Sequence, residues 1–201
     1  MEIILAAVEN ELADAWDRWC GDFPGVRIHR GSILDLSCYA VVSPANSFGF
    51  MDGGIDAVYL RAFGVAVQER LHQVIREQHH GELLVGSAAM VETNHARIPY
   101  MIAAPTMRVP MRLVDSVNPY LAARAALLLV KHQQGGQEIR SIAFPGLGTG
   151  VGGVGSNTCA RQMRAAMENV LLGARSYPQT WAEASARHQA LYTDLPRRLQ
   201  H

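Results

Sequence analysis

Two glycine-rich stretches constrain the fold of this chain more than any other feature. The first, residues 43–56, reads SPANSFGFMDGGID, and the second, residues 145–156, reads PGLGTGVGGVGS. Each follows a short apolar run and leads into a segment with helical character. Glycine permits positive φ and lets backbone N–H groups approach a ligand closely. Both stretches are therefore predicted to be ligand-binding loops between a strand and a helix; the alternative is that their glycines only form tight turns.

Strand patterns alternate with helix patterns along the chain. Strands are predicted at 3–8, 26–30, 40–43, 87–91, 101–104 and 141–144, and helices at 10–19 (capped by Asn10), 55–63, 65–78, 118–134, 157–172 and 181–192. This alternation is typical of an α/β domain with a largely parallel central sheet. Ligands of such sheets bind beyond the carboxyl ends of the strands. Both loops are therefore expected at one sheet edge, facing each other across one cleft.

Length and composition limit the classes of protein that fit. The 201 residues suit one domain, with a core over about 1–172 and a helical extension over about 176–201. Eighteen basic residues balance eighteen acidic ones, so nucleic-acid binding by bulk charge is not expected. No apolar run approaches the length of a membrane span, and no signal peptide is recognised. Three widely spaced cysteines indicate reduced thiols, so a cytoplasmic setting without a metal or cofactor is expected.

Two familiar phosphate-binding motifs fit poorly. Gly148, Gly150 and Gly153 satisfy the GxGxxG pattern after a strand, but a dinucleotide-binding fold also needs an acidic residue about twenty positions later. Residues 170–176 contain none. A Walker loop is excluded because no Gly-Lys-Ser/Thr sequence occurs.

The first loop carries side chains suited to sugar chemistry. Asn46 offers a donor and an acceptor to a hydroxyl or carbonyl group. Asp56 follows ten residues later, at the entrance to a helix. There it either caps the first helical turn or presents a carboxylate to a hydroxyl or a water.

These residues resemble the signature of a known family. Residues 40–64, AVVSPANSFGFMDGGIDAVYLRAFG, are similar to the signature segment of macrodomains, which are ADP-ribose-binding modules. Residues 141–155, SIAFPGLGTGVGGVG, resemble the second loop of that family. The resemblance covers about residues 1–172. It implies a three-layer α/β/α fold with a mixed, mostly parallel central sheet.

The resemblance also implies a set of site residues. Asn46 would contact the distal ribose, and Asp56 would activate a water or polarise that ribose. Asp52 is a candidate second acid for ribose chemistry or, with Asp56, a metal ligand; alternatively it is a turn residue that points outward. Ligand contacts are expected from Ser32, Ile33, Ala45, Gly53, Gly54, Ile55, Gly146, Gly148, Thr149, Gly150, Val151 and Gly152.

Four positions depart from the family pattern. Ser32 stands where an Asp often holds the adenine amino group, so a changed base preference is expected. Ser43, followed by Pro44, replaces the first Asn of the signature. Gly152 replaces an aromatic residue that often covers the distal ribose, which predicts that the ribose end of the binding site is more open. Asp52 replaces a glycine.

The resemblance therefore implies binding of ADP-ribose or a related nucleotide diphosphate-sugar, and hydrolysis of ADP-ribosyl linkages on a modified protein or nucleic acid. The alternative is a non-catalytic binding module with altered base preference. Arg108 and Arg112, which follow the strand near residue 101, could reach a phosphate or belong to a plain surface loop.

Overall fold

A computed structural model describes residues 1–132, 139–173 and 177–193. The strands are β1 (Glu2–Ala7), β2 (Val26–Arg30), β3 (Ala40–Ser43), β4 (Ala89–His95), β5 (Ile98–Ala103) and β6 (Ser141–Phe144). The helices are α1 (Asn10–Cys20), α2 (Gly54–Phe63), α3 (Val65–Gln78), α4 (Asn118–His132), α5 (Ser156–Met167) and α6 (Trp181–Gln189). A 3₁₀ turn covers Ile33–Asp35, and α5 continues as a π-helical turn over Glu168–Leu172.

The strands form one mixed sheet in the order β2-β1-β6-β3-β5-β4. All neighbouring strands run parallel except the edge strand β4, which is antiparallel to β5. This confirms the predicted mixed, mostly parallel sheet.

The edge hairpin extends further than the sequence predicted. Residues 92–97 are polar and were not assigned to a strand, yet β4 continues to His95 and β5 begins at Ile98. Asn94 adopts a φ of 60°, which asparagine tolerates better than most residues. In β4 Glu92 and Asn94 are exposed, and the buried residue between them is Thr93, so the strand shows no apolar pattern there.

Apolar residues alternate between the two faces of the sheet. Ile3 and Leu5 of β1 belong to a core formed with α1, α4 and α5, whereas Ile4 packs into a second core with α2 and α3. In β3, Val42 faces the first core and Val41 the second. The molecule is therefore a three-layer α/β/α sandwich, as the sequence predicted.

Most helices begin and end near their predicted limits. Asn10 is the first residue of α1 and not its cap; Glu9 precedes it without a side-chain capping bond. The end predicted for α4 near residue 134 lies outside the described residues, as does much of the proposed extension over 176–201. In the described ranges, no helix is both long and apolar enough to cross a bilayer.

Candidate functional site

Both glycine-rich loops line one cleft of about 350 Å³ at the carboxyl edge of the sheet. The cleft is therefore of a size that small-molecule sites commonly have. Its lining includes these residues named from the sequence: Asn46, Asp52 and Asp56; Ile33 and Ala45; Gly53, Gly54 and Ile55; Gly146, Gly148, Thr149, Gly150, Val151 and Gly152.

The chain after β5 holds the start of the first loop in place. The Thr106 N–H donates to the Ala45 carbonyl over 3.1 Å, and the Ser47 N–H donates to the Met107 carbonyl over 3.1 Å. Backbone hydrogen bonding between the segments that follow β3 and β5 thus continues beyond the ends of these strands. The backbone of the loop is fixed although its sequence is rich in turn residues.

The middle of the first loop packs against α3. Gly49 has a φ of +77°, and a Cβ there would lie 2.8 Å from Ile75 Cδ1 and 3.1 Å from Leu71. The Met51 N–H donates to the Gln68 side chain over 2.8 Å. Residues 49–51 thus lie along α3, from Ile75 to Gln68, before the chain returns to the cleft.

Asn46 uses its side chain to shape this loop. Its Nδ2 donates to the Phe50 carbonyl over 2.7 Å, and its Oδ1 accepts from the N–H groups of Phe48 and Phe50 over 3.1 and 3.3 Å. The residue is half-buried and lines the cleft. One amide thus organises five consecutive residues of the loop.

Asp56 lies in the first turn of α2, whose N-cap is Gly53, so it is not itself the cap. Its side chain lines the cleft but is only 8% exposed. Its Oδ1 accepts from the Ser43 hydroxyl over 2.5 Å. Burial raises the pKa of Asp56 to about 6, the Ser43 hydrogen bond lowers it, and the charge of Asp52 raises it further.

Asp52 sits in the cleft wall on an exposed turn. The charge of Asp52 is one cause, after burial, of the raised pKa of Asp56. Among the described residues, no group of three His, Cys, Asp or Glu side chains could hold a metal ion.

The N-terminus of α2 opens directly onto the cleft. A Cβ on Gly53 or Gly54 would meet no atom within 4 Å, and Gly54 has a φ of +54°. The first N–H groups of a helix have no acceptor within the helix, and the helix dipole favours an anion there. Gly53, Gly54 and Ile55 thus form a wall suited to a phosphate group.

The second loop is a compact turn around Gly148, whose φ is +71°. The Val154 N–H donates to the Gly148 carbonyl over 3.0 Å, and the Gly153 N–H to the Gly150 carbonyl over 2.9 Å. A Cβ on Gly152 would lie 2.5 Å from the Gly148 oxygen and 3.1 Å from Leu113 Cδ1. In this loop shape, position 152 thus has no room for the aromatic residue common in the resembled family.

Ser32 does not line the cleft. Its Oγ accepts from the Leu34 N–H over 3.2 Å and caps the 3₁₀ turn. Gly31 and Ile33, on either side of it, do line the cleft. At this end the walls are therefore formed by backbone, apolar side chains and the exposed Glu9 that follows β1.

Neither arginine of residues 107–112 lines the cleft. Arg108 forms an ion pair with Glu82 over 2.7 Å and lies over the Phe48 ring. The Arg112 guanidinium covers Gly153, on the second loop.

Several lining residues were not named from the sequence: Ala6, Ala7, Val8, Glu9, Leu12, Gly31, Pro44, Phe50, Val58, Thr106, Met107, Pro110 and Pro145. Ala6 and Ala7 end β1, and five others come directly after a strand: Val8, Glu9, Gly31, Pro44 and Pro145. The rule that ligands bind beyond strand ends could have found these, whereas no sequence signal marks Leu12 or Val58.

Sequence comparison identifies the family of the chain. A family model described as Macro domain matches residues 42–163, which include the end of β3, both loops and most of α5. The chain therefore belongs to the Macro domain family. It is 32% identical over 138 residues to an uncharacterised protein of Aquifex aeolicus, covering 69% of this chain and 78% of that one. It is 28% identical to a macro domain-containing protein of Caldanaerobacter subterraneus, covering 68% and 75%.

Solved structures agree on the fold. A mutant macrodomain of Oceanobacillus iheyensis with ADPR has a TM-score of 0.61 at 18% identity, covering 81% of this chain and 86% of that one. The macrodomain of Mycobacterium tuberculosis DarG has a TM-score of 0.57 at 22% identity, covering 69% and 87%. A further Oceanobacillus iheyensis structure contains ADP, with a TM-score of 0.60 at 18% identity and coverage of 81% and 84%.

Proposed function

We propose that this protein binds ADP-ribose in the cleft and hydrolyses the bond between the distal ribose and a modified target. The observation that carries the proposal is the position of Asp56. Its carboxyl group lies in the cleft wall, close to the glycines at the N-terminus of α2. The second glycine-rich loop lines the same cleft. Structures of the fold that contain ADPR and ADP support the choice of ligand.

The proposed chemistry needs only this carboxyl group and a water. In its ionised form Asp56 accepts a proton from the water, whose oxygen attacks the anomeric carbon of the distal ribose. The bond to the target breaks as the new C–O bond forms, and the leaving group takes the proton from Asp56. A pKa of about 6 keeps the base mostly ionised at neutral pH and still able to return the proton.

A non-catalytic binding module is the second candidate. It is favoured by the hydrogen bonds of Asn46, whose amide serves the loop backbone. In that case the cleft holds ADP-ribose without turnover. Ser32, which stands where the family often has an Asp, does not line the cleft, so this candidate includes bases other than adenine.

Two measurements test these candidates. Calorimetry against ADP-ribose, ADP and AMP tests ligand binding, and absent binding of all three overturns the proposal. Release of ADP-ribose from an ADP-ribosylated substrate is then compared for the parent protein, Asp56→Ala and Asp115→Ala, the last being an exposed acid outside the cleft. Loss of release in D56A alone supports the hydrolase, whereas binding without release in the parent supports the module.

We also infer a reducing, cytoplasmic setting, since Cys20, Cys38 and Cys159 are free and buried.

A further inference from the structure

Ser43 lies directly behind the cleft wall. It is the last residue of β3, is fully buried, and does not itself line the cleft. Its hydroxyl donates to Asp56 Oδ1 over 2.5 Å. At the sequence level Ser43 is only a departure from a family signature, with no role.

We propose that Ser43 is a positioning residue for Asp56: its hydroxyl fixes the carboxyl group in the cleft wall and stabilises the ionised form. The consequence for turnover depends on the proposed hydrolysis. The effect on the Asp56 carboxyl group does not, and can be measured without a substrate.

The hydrogen bond joins a rigid element to one that begins in a loop. Ser43 is held in the sheet, where its carbonyl accepts from the Ala104 N–H over 2.9 Å. Asp56 lies in the first turn of α2, after the exposed Gly53. One helical turn later, the Tyr59 hydroxyl donates to the Val42 carbonyl over 3.2 Å. The same face of α2 is thus tied to two consecutive residues of β3.

The Ser43 hydroxyl matters because the Asp56 carboxyl group is buried. A buried carboxylate is stable only if it receives hydrogen bonds. The other titratable groups at this site are the Asp52 carboxyl, from the loop, whose charge raises the pKa of Asp56, and the buried Tyr59 phenol, on α2, whose own pKa is raised by burial and by the charge of Asp56. Neither stabilises a negative charge on Asp56 as a cation would. The Ser43 hydroxyl is the group that lowers the pKa of Asp56 against burial and against Asp52.

The test is the titration of Asp56 in Ser43→Ala, followed by carboxyl ¹³C NMR and assigned with Asp56→Asn. We expect the pKa of Asp56 to rise by roughly one pH unit, the scale of one hydrogen bond to a charged group. Ser43→Thr keeps the hydroxyl and is expected to titrate like the parent. Ser43→Cys, whose thiol is a weak donor, replaces S43A if that variant does not fold. Ser141→Ala is the matched control, since it removes another strand hydroxyl, the acceptor for the Tyr39 N–H.

Turnover gives a second readout. A pKa raised by about one pH unit lowers the ionised fraction roughly fivefold at pH 6 and little at pH 8, so S43A should lose activity at pH 6 and recover it at pH 8. An Asp56 titration that is the same in S43A and the parent overturns the proposal. A loss of activity that is equal at both pH values, together with that unchanged titration, overturns the stabilisation of the ionised form. If the parent protein releases no ADP-ribose, the NMR titration still decides the role of Ser43, and only the proposed hydrolysis fails.

Discussion

The side-chain amide of Asn46 donates to the main-chain oxygen of Phe50, four residues later, over 2.7 Å. The same side chain accepts two N–H groups from the loop. Asn46 therefore determines the shape of the segment that leads to Asp52 and Gly53. We therefore expect Asn46 to influence ligand binding mainly through the loop backbone that its hydrogen bonds hold in place.

Replacing Asn46 is expected to affect both stability and binding. Asn46→Ala loses three hydrogen bonds, and we expect a decrease in the free energy of unfolding of about 1–3 kcal/mol, together with weaker ADP-ribose binding. Urea unfolding and calorimetry measure the two effects. Asn46→Asp is the informative comparison, because it keeps the acceptor but places a carboxylate against the Phe50 carbonyl. Unchanged stability in both variants would contradict this role.

Asp56→Asn is expected to stabilise the protein at alkaline pH. The folded-state pKa of Asp56 is raised to about 6 from 3.8, so stability falls as pH rises through about 6 and the buried group ionises. An asparagine stays neutral and still accepts from Ser43. We expect D56N to exceed the parent by roughly 2–3 kcal/mol at pH 8, with the difference vanishing towards pH 4. Urea unfolding at several pH values measures this, with Asp115→Asn as control, and a D56N protein less stable than the parent at pH 8 would contradict the expectation.

Asp52→Asn is expected to act on Asp56 in the direction opposite to S43A. Removing the charge of Asp52 removes one cause of the raised pKa of Asp56, so the pH midpoint of release moves down. ADP-ribose binding should strengthen by up to about fivefold, since a carboxylate near a diphosphate is repelled even in water. Calorimetry and a pH–rate profile measure the two effects. Tighter binding with unimpaired release shows that Asp52 is not a catalytic acid, whereas loss of release at every pH would show that it is.

Gly152→Ala and Gly150→Ala form a matched pair in the second loop. A Cβ at 152 would lie 2.5 Å from the Gly148 oxygen, whereas a Cβ at 150 would meet no atom within 4 Å. We expect G152A to lose about 1–3 kcal/mol of unfolding free energy and G150A to stay within about 0.5 kcal/mol of the parent. Thermal and urea unfolding compare them. Equal stabilities would mean that the loop opens readily enough to admit a side chain at 152.

The predicted fold agrees with the structure where the local pattern is strong. β3 is four consecutive apolar or small residues buried on both faces, and glycine-rich loops follow β3 and β6. The hairpin between β4 and β5 is the element that was partly missed. In β4 the exposed Glu92 and Asn94 flank a buried threonine, Thr93, which gives no apolar pattern; the apolar start of β5, Ile98–Tyr100, was also missed. Ser32 was expected at the ligand, but nothing in its sequence context showed that its hydroxyl would cap the following turn.

The sequence by itself determined the alternation of strands and helices, the placement of both glycine-rich loops at one sheet edge, and the presence of Asp56 at a helix entrance. Periodicity and glycine content fix these features because they depend on local backbone geometry and on which face of each element is apolar. Only the tertiary structure decided that Ser43 bonds to Asp56, that Asn46 bonds to its own loop, and that position 152 has no space for a side chain. Each of these depends on which polar group finds a partner after burial, and that is set by neighbours from other segments of the chain.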